Sequence, residues 1–247
     1  MQLRNATAAV IGAGDYIGAA IAEKFAAEGL TIFAGRRNGE KLTPLVAAIE
    51  ARGGRIIGRS LDARKEEALT LFLKEADAHA PLEVCVFNVG ANVNHPLTET
   101  TERVFRKVWE MACYGGFLAG REAARLMLPR GHGCLFFTGA TASLRGGVGY
   151  AAFASAKFGL RAVAQSAARE LGPQGIHVAH LVIDAGVDTA WVRARIRERE
   201  GEAALANLEP ERLMRPEAVA EAYWQLYQQP RDAWTFELEI RPFAEQW

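Results

Sequence analysis

Short apolar runs alternate with longer segments of helical periodicity along the chain, and this alternation constrains the fold more than any other feature. The first six of seven apolar runs lack a regular polar alternation, which is typical of strands covered on both faces of a parallel sheet. The segments between them carry apolar residues three and four positions apart and mostly end at glycine or proline, as helices do. The seven apolar runs are TAAVIG, LTIFAG, RIIGRS, EVCVFNVG, CLFFTGA, HVAHLVI and FELEI.

Alternating strands and helices predict one fold class. Right-handed strand-helix-strand units build a Rossmann-like, doubly wound parallel sheet with helices on both faces, a three-layer α/β/α arrangement. The longest helical pattern covers residues 101–130. The 247 residues, 50% of them hydrophobic, suffice for one sizeable core, and no internal repeat or linker divides them. We therefore expect a single domain over residues 1–247, with its ligand beyond the carboxyl ends of the strands.

The most polar part of the chain, about residues 189–215, is predicted to form a helical lid over the ligand site. Its alternating charges also fit the solvated face of an ordinary surface helix, so both interpretations stay open. The whole chain has 29 basic and 29 acidic residues, and its net charge therefore favours neither nucleic acid nor an anionic membrane. We expect a small-molecule substrate and no nucleic-acid or membrane partner.

Cysteine usage and hydropathy indicate a reducing compartment. The first residues, MQLRNATAAVIG, lack the apolar core and cleavage site of a signal peptide, and no apolar run reaches the roughly 18 residues of a membrane span. Cys85, Cys113 and Cys134 are odd in number and have no CxxC spacing, which favours buried thiols over disulfides or a metal site. We therefore predict a cytoplasmic protein without a resident metal.

A glycine-rich segment, VIGAGDYIGAAIAEKFA, joins the first predicted strand to the first predicted helix. It places Gly12, Gly14 and Gly18 at the junction, with Ile17 at the predicted start of the helix. Glycines there let the backbone turn tightly and approach a pyrophosphate, whose charge the helix N-terminus stabilises. We predict that these four residues bind the phosphates of a dinucleotide.

From this loop onward the sequence resembles the short-chain dehydrogenase/reductase family, whose loop reads TGxxxGxG. Gly12 and Gly18 match its first and last glycines, whereas Ile11 replaces the threonine and Tyr16 replaces the middle glycine. The resemblance runs from about residue 6 to 190. It implies a Rossmann-like domain, a nicotinamide dinucleotide cofactor and an oxidoreductase.

Four further residues match positions of that family. Asp62 in SLDAR stands where the family has an aspartate that contacts the adenine. Asn88 and Gly90 in FNVG match the family's NNAG motif, and Thr189 matches a threonine that meets the nicotinamide carboxamide. The resemblance implies that all four contact the cofactor.

Two arginines at the end of the second strand indicate which cofactor binds. Arg36 and Arg37 stand where a relative that prefers NAD would carry an acidic residue. A carboxylate there binds the ribose 2′-hydroxyl, whereas arginines pair with a 2′-phosphate through charge-assisted hydrogen bonds. We therefore predict NADP(H) in preference to NAD(H); the alternative is a pair of solvated arginines at the start of a loop.

In the family that the sequence resembles, an asparagine, a serine, a tyrosine and a lysine cooperate in catalysis. The corresponding positions here hold Ala112, Ala140, Phe153 and Lys157. Only the lysine is retained, and the resemblance implies that it binds the nicotinamide ribose. The tyrosine hydroxyl would exchange the proton with the substrate, so its loss raises the question of which group replaces it.

Three residues are candidates for that proton donor. Tyr150 lies three positions before Phe153, on a similar face if the helix has begun. His95 follows the fourth strand, on a loop that we expect at the mouth of the site. Lys157 itself can act as the acid if burial lowers its pKa.

Other polar residues near these positions have alternative interpretations. Tyr114 is expected to point away from the site, and Thr141 and Ser143 are expected in loop or capping roles, although either hydroxyl could turn towards a carbonyl. Asp184 replaces a proline of the family, and the sequence leaves three roles open for it: binding substrate, pairing with Lys157, or capping the following turn.

Three functional hypotheses follow. The first is an NADP(H)-dependent oxidoreductase that acts on a carbonyl or alcohol substrate with an atypical proton donor. The second is a catalytically impaired dinucleotide-binding protein with a sensor or assembly role. The third is a scaffold in which Tyr16 blocks the glycine loop. For each we expect a homo-oligomer, a dimer or a tetramer, assembled through the long helices.

Overall fold

The computed structural model describes residues 2–209 and 211–245. Pro210, within the predicted lid, and the termini of the predicted single domain, Met1, Gln246 and Trp247, lie outside the described residues. The strands are β1 (Thr7–Ile11), β2 (Thr31–Arg36), β3 (Arg55–Ser60), β4 (Leu82–Phe87), β5 (Gly133–Thr138), β6 (Ile176–Ile183) and β7 (Glu237–Ile240).

All seven strands form one parallel sheet in the order β3-β2-β1-β4-β5-β6-β7. The chain first moves outward from β1 to β3 and then returns to place β4 on the other side of β1. The connections after β1 and β4 therefore leave the sheet in opposite directions and open a crevice at its carboxyl edge. The predicted Rossmann-like α/β fold is confirmed, and the crevice lies where the sequence predicts the ligand.

Helices cover both faces of the sheet. The helices are α1 (Ile17–Ala27), α2 (Thr43–Ala51), α3 (Glu66–His79), α4 (Glu102–Trp109), α5 (Gly115–Met127), α6 (Ala151–Leu171), α7 (Ala190–Glu200), α8 (Glu202–Ala206) and α9 (Pro216–Tyr227). α1, α2 and α9 pack on one face, and α3, α5 and α6 pack on the other, which gives the predicted three layers.

The burial of the strands follows their position in the sheet. Every residue of β1, β5 and β6 is buried, as the absence of polar alternation predicts. β3 lies at the edge of the sheet: Ile56 and Ile57 pack against the cores on its two faces, whereas Arg55, Arg59 and Ser60 are exposed. Edge strands commonly carry charged side chains, because these discourage pairing with another sheet.

The helical pattern over residues 101–130 is interrupted in the structure. α4 and α5 are joined by a π-helical turn over Glu110–Tyr114, which buries Ala112 and Cys113. A π-helical turn accommodates an extra residue within a continuous helix, and such turns are frequent at functional sites. This turn packs against α6, where Lys157 is found.

α7 and α8 occupy the segment predicted to be a lid, beyond the carboxyl end of β6. Thr189 caps α7 by accepting a hydrogen bond of 3.1 Å from the backbone N–H of Val192. Within residues 2–209 and 211–245, no helix combines the length and the apolar character needed to cross a bilayer. In the same residues, no cluster of three or more His, Cys, Asp or Glu side chains could hold a metal ion.

Candidate active site

Two adjoining cavities occupy the crevice at the carboxyl edge of the sheet. One, of about 620 Å³, lies below α7, and we call it the α7 cavity. The other, of about 550 Å³, lies beside the end of β2, and we call it the β2 cavity. Both volumes are within the range of small-molecule sites. Four of the predicted cofactor residues line both cavities: Gly12, Gly14, Asn88 and Gly90.

The glycine loop is shaped by close backbone contacts. Gly12 has a φ of +90°, and a Cβ atom there would lie 2.7 Å from the backbone oxygen of Asn88. The Asn88 amide in turn donates a hydrogen bond of 3.1 Å to the Gly12 carbonyl, which ties the end of β4 to the loop. A Cβ on Gly14 would meet no atom within 4 Å, so the space beside this backbone is open. The first turn of α1 begins directly after, at Ile17.

Tyr16 forms part of the wall of the α7 cavity. Its hydroxyl accepts a hydrogen bond of 3.0 Å from the backbone N–H of Ala190, the first residue of α7. The side chain therefore reaches across to the predicted lid, and a cavity of about 620 Å³ remains beside it.

The β2 cavity collects positive charge at the end of β2. Arg36, Arg37 and Lys41 line it, and Arg37 is exposed. The Arg36 guanidinium is already engaged, because it donates to a carboxylate oxygen of Asp15 at 2.5 Å and to the Lys41 carbonyl at 3.3 Å. These two contacts hold Arg36 at the cavity wall.

Asp62 also lines the β2 cavity. Arg64 donates to its two carboxylate oxygens at 2.9 and 2.6 Å. The hydrogen bonds from this guanidinium lower the pKa of Asp62 to about 2. The carboxylate is therefore ionised at neutral pH and can accept a further hydrogen bond from a bound base.

Lys157 is a buried cation in the wall of the α7 cavity. Its Nζ donates to the Thr138 carbonyl at 2.8 Å and to the Val89 carbonyl at 3.4 Å. An ammonium group has three donors, so one remains for a ligand in the cavity. Burial lowers the pKa of Lys157 to about 8, close enough to neutrality for the group to exchange a proton.

The three positions that lack polar catalytic groups meet beside Lys157. Ala112 and Phe153 belong to one buried apolar cluster, and Ala140 packs against it. The Nζ of Lys157 lies 5.9 Å from the centroid of the Phe153 ring. These three apolar residues therefore share one neighbourhood, and Lys157 lies on its Phe153 side.

The structure separates the other two candidate proton donors. Tyr150 lines the α7 cavity, and its ring centroid lies 6.5 Å from that of Phe153. His95 is exposed and is not part of either cavity wall, and its backbone N–H donates to the Gly149 carbonyl. Tyr150 therefore shares a cavity wall with Lys157, and His95 does not.

The other polar residues whose roles the sequence did not decide have partners of their own in the structure. Ser143 accepts a hydrogen bond from the backbone N–H of Ala140, a capping role. Asp184 is buried and pairs with Arg145 and Arg241, each at 3.3 Å, rather than with Lys157. The hypothesis of an Asp184–Lys157 pair is therefore wrong. Thr189 lines the α7 cavity while its hydroxyl caps α7.

The comparisons with known proteins agree with this geometry. The family model described as short chain dehydrogenase matches residues 6–200, which is most of the chain. The chain belongs to this family. A short-chain dehydrogenase/reductase of Armillaria gallica is 31% identical over 175 residues, which are 69% of this chain and 67% of that protein. The 3-oxoacyl-[acyl-carrier-protein] reductase MabA of Mycobacterium bovis is 29% identical, over 85% of this chain and 81% of that protein.

Solved structures of short-chain dehydrogenases superpose on nearly the whole chain. A short-chain dehydrogenase from Rhodopseudomonas palustris is 68% identical, with a TM-score of 0.84 over 97% of this chain and 100% of that one. A metagenomic short-chain oxidoreductase in complex with NADP is 23% identical, with a TM-score of 0.81 over 97% and 98% of the two chains, and shares the fold. Family membership makes the chain an oxidoreductase of this family.

A partly buried polar network near Lys157 was not predicted from the sequence. His180 on β6 is buried, and its Nδ1 lies 3.0 Å from a carboxylate oxygen of Glu237 on β7. Arg161, one helical turn after Lys157, donates to both oxygens of Glu237 at 2.7 and 2.6 Å. Burial lowers the pKa of His180 to about 4, and the charge of Lys157 contributes to the lowering. The available signal was the polar residues of two otherwise apolar runs, two histidines in HVAHLVI and two glutamates in FELEI.

Proposed function

We propose that the chain is an NADP(H)-dependent oxidoreductase of a divergent branch of its family, which interconverts a carbonyl and an alcohol with Lys157 as the proton donor. One observation carries the proposal. Lys157, a buried lysine with a pKa of about 8, lines the cavity beside Ala140 and Phe153, whose side chains supply no exchangeable proton.

The residues of the crevice fit a dinucleotide. Gly12 and Gly14 leave the backbone bare where the two cavities meet, and the first turn of α1 presents its N-terminus there. This arrangement suits a pyrophosphate. Asp62 would accept from the adenine, and Lys157 and Thr189 would contact the nicotinamide half. The nicotinamide, when bound, supplies or accepts the hydride.

Lys157 would complete the reduction by moving one proton. Its ammonium protonates the oxygen that becomes the alcohol, and the resulting neutral amine recovers a proton from solvent. The Thr138 and Val89 carbonyls orient the group during this exchange, because they accept two of its N–H bonds. Tyr150 is the competing donor, since its side chain lines the same cavity.

The test compares two variants of the purified protein. Carbonyl reduction is followed by NADPH oxidation, and the dissociation constant of NADPH is measured separately. Lys157→Met is expected to lower the rate at saturating NADPH by about 10² to 10⁴, the usual contribution of a positioned acid. Tyr150→Phe is expected to change it by less than about threefold. The reverse pattern, with activity lost in Tyr150→Phe and kept in Lys157→Met, would overturn the assignment.

NADP(H) is the proposed cofactor because of the positive charge around the β2 cavity. Arg37 is exposed there, and Arg36 is held at the wall by Asp15. Two relatives of the same fold support this choice, since one was solved with NADP and another with 5-hydroxy-NADP. Arg37→Ala is expected to weaken NADPH about tenfold or more and to leave NADH unchanged, as loss of a contact to the 2′-phosphate requires. Equal losses for both cofactors would rule out this role.

The second candidate function is a catalytically impaired dinucleotide-binding protein. The observation that favours it is the apolar cluster itself, since Ala112, Ala140 and Phe153 pack together without a hydroxyl or amide. Under this alternative the wild type turns over no carbonyl substrate although it binds NADPH. The double variant Ala140→Ser with Phe153→Tyr would then gain carbonyl reduction.

We also propose that the chain assembles with copies of itself through α4, α5 and α6. Four aromatic side chains on these helices are each about two-fifths exposed: Phe105, Trp109, Phe117 and Phe158. Aromatic residues in such numbers are unusual on a monomer surface and are common at interfaces. Sedimentation is expected to give a dimer or a tetramer, and Phe158→Glu is expected to dissociate it. A wild-type monomer at tens of micromolar would contradict the proposal.

A further inference from the structure

The α7 helix presents one stripe of side chains to the α7 cavity. Trp191, Arg195 and Arg199 are spaced four residues apart, so they lie on one face of the helix, and all three line the cavity. The Arg195 guanidinium lies over the Trp191 ring at 4.8 Å from its centroid. This stacking holds one cation against the cavity wall.

The other arginines of α7 differ from this stripe in their partners. Arg193 donates to both carboxylate oxygens of Asp188 at 2.6 and 2.8 Å. Arg197 pairs with Glu202 at 2.6 Å. In the part of the chain that the structure describes, neither Arg195 nor Arg199 has a carboxylate within 4 Å. The arginines away from the cavity are thus neutralised, and those that line it are not.

The cavity between this stripe and Lys157 is mostly apolar. Phe153, Val192 and Ile196 line it, together with Ala140. Glu200 of α7 also lines the cavity, so α7 contributes two guanidinium groups and one carboxylate to the cavity wall. Guanidinium groups without a carboxylate partner beside an apolar wall suit a carboxylate or phosphate group, which they bind through two parallel hydrogen bonds.

We infer that Arg195 and Arg199 bind an anionic head group of the substrate, a carboxylate or a phosphate, attached through an apolar body to the carbonyl at Lys157. The inference rests on the proposed function for the reacting end of the substrate. The recognition of the head group itself needs no turnover. Trp191 covers the apolar body next to the head group.

The experiment measures binding to the NADPH-saturated full chain by calorimetry. The probes are octanoate, octyl phosphate and the neutral octanamide, which share one apolar chain. At least one of the two anions is expected to bind about tenfold more tightly than octanamide, since hydrogen bonds to a charged group are worth about this much. The tighter of the two anions identifies the head group.

The variants test the arginines against a matched control. Arg195→Gln and Arg199→Gln are each expected to weaken the preferred anion about tenfold and to leave octanamide unchanged. Arg197→Gln removes a similar charge on the outer face of α7 and is expected to change neither probe. Equal binding of the anions and octanamide, or an equal loss in Arg197→Gln, would overturn the inference.

Two further outcomes separate this inference from the proposed function. If Arg195→Gln weakens NADPH as much as it weakens the anion, the arginine serves the cofactor and the inference fails. If the anion binds through Arg195 but no carbonyl compound oxidises NADPH, the head-group site stands and the proposed reaction fails.

Discussion

The hydroxyl of Tyr16 accepts a hydrogen bond of 3.0 Å from the backbone N–H of Ala190 and so joins the glycine loop to the first residue of α7. The first N–H groups of a helix have no partner within the helix, so a phenol oxygen satisfies one of them here. Tyr16 stands where the family has a glycine. The side chain therefore adds a contact between the cofactor loop and the predicted lid.

Removing that hydroxyl is expected to loosen α7 without unfolding the protein. Tyr16→Phe deletes one partly exposed hydrogen bond, worth about 0.5–1.5 kcal/mol. Hydrogen exchange at the amides of residues 190–192 is expected to quicken about threefold to tenfold. Tyr114→Phe, which removes a hydroxyl from the π-helical turn, serves as the control and is expected to leave these amides unchanged. Unaltered exchange in Tyr16→Phe would mean that the contact does not restrain the helix.

Gly12 and Gly14 make a matched pair within one loop. A Cβ on Gly12 would lie 2.7 Å from the Asn88 oxygen, and its φ of +90° disfavours any side chain. Gly12→Ala is therefore expected to lower the free energy of unfolding by about 1–3 kcal/mol. A Cβ on Gly14 would enter open space, so Gly14→Ala is expected to change the free energy of unfolding by less than about 1 kcal/mol.

The same two variants also test where the cofactor lies. Gly14 lines both cavities, so a methyl group there would stand in the path of a pyrophosphate. Gly14→Ala is expected to weaken NADPH about tenfold or more while the protein remains folded, as equilibrium titration would show. Undiminished binding would move the phosphates away from this part of the loop.

Much of this site follows from the sequence because neighbours in a parallel sheet bring their carboxyl ends together. The alternation of strands and helices predicted the crevice, and short motifs predicted that Gly12, Asn88 and Lys157 would meet there. The spacing of apolar residues along a helix does not reveal a single inserted residue, so the π-helical turn over Glu110–Tyr114 was not predicted.

Contacts between segments that are distant in the sequence could not be predicted from the sequence alone. Tyr16 and Ala190 are 174 positions apart, and no pattern in either segment indicates the other. The same holds for Asp184, whose buried carboxylate pairs with Arg145 and Arg241 across two separate loops. Such pairings depend on the final placement of side chains, which local propensity does not encode.

The lowered pKa of Lys157 predicts how stability changes at alkaline pH. The ordinary value is 10.5, and burial lowers the folded-state value to about 8. Between these values the unfolded chain holds a proton that the folded chain has lost, so stability rises as pH increases from 8 to 10.5. The pKa shift corresponds to about 3 kcal/mol. Below pH 8, where Lys157 is charged in the folded state, burial of the charge lowers the free energy of unfolding by this amount.

Denaturant unfolding of Lys157→Met measures this contribution. The variant is expected to lose the rise between pH 8 and 10.5 and to be the more stable protein at pH 7, because no charge is buried. Lys107→Met, which removes an exposed lysine of α4, is expected to keep the wild-type dependence on pH. If Lys157→Met showed the same rise as the wild type, the lysine would titrate at its ordinary pKa.

The lowered pKa of His180 predicts how the free energy of unfolding changes at acidic pH. Its pKa falls from the ordinary 6.5 to about 4, mainly because the side chain is buried. As pH decreases from 6.5 to 4, the unfolded chain takes up a proton at this histidine and the folded chain does not, so stability falls by about 3 kcal/mol. His180→Gln keeps a polar group beside Glu237 without this titration and is expected to lose less stability between pH 7 and 5 than the wild type. His132→Gln alters an exposed histidine and is expected to behave as the wild type, so an equal effect of both changes would remove His180 as the cause.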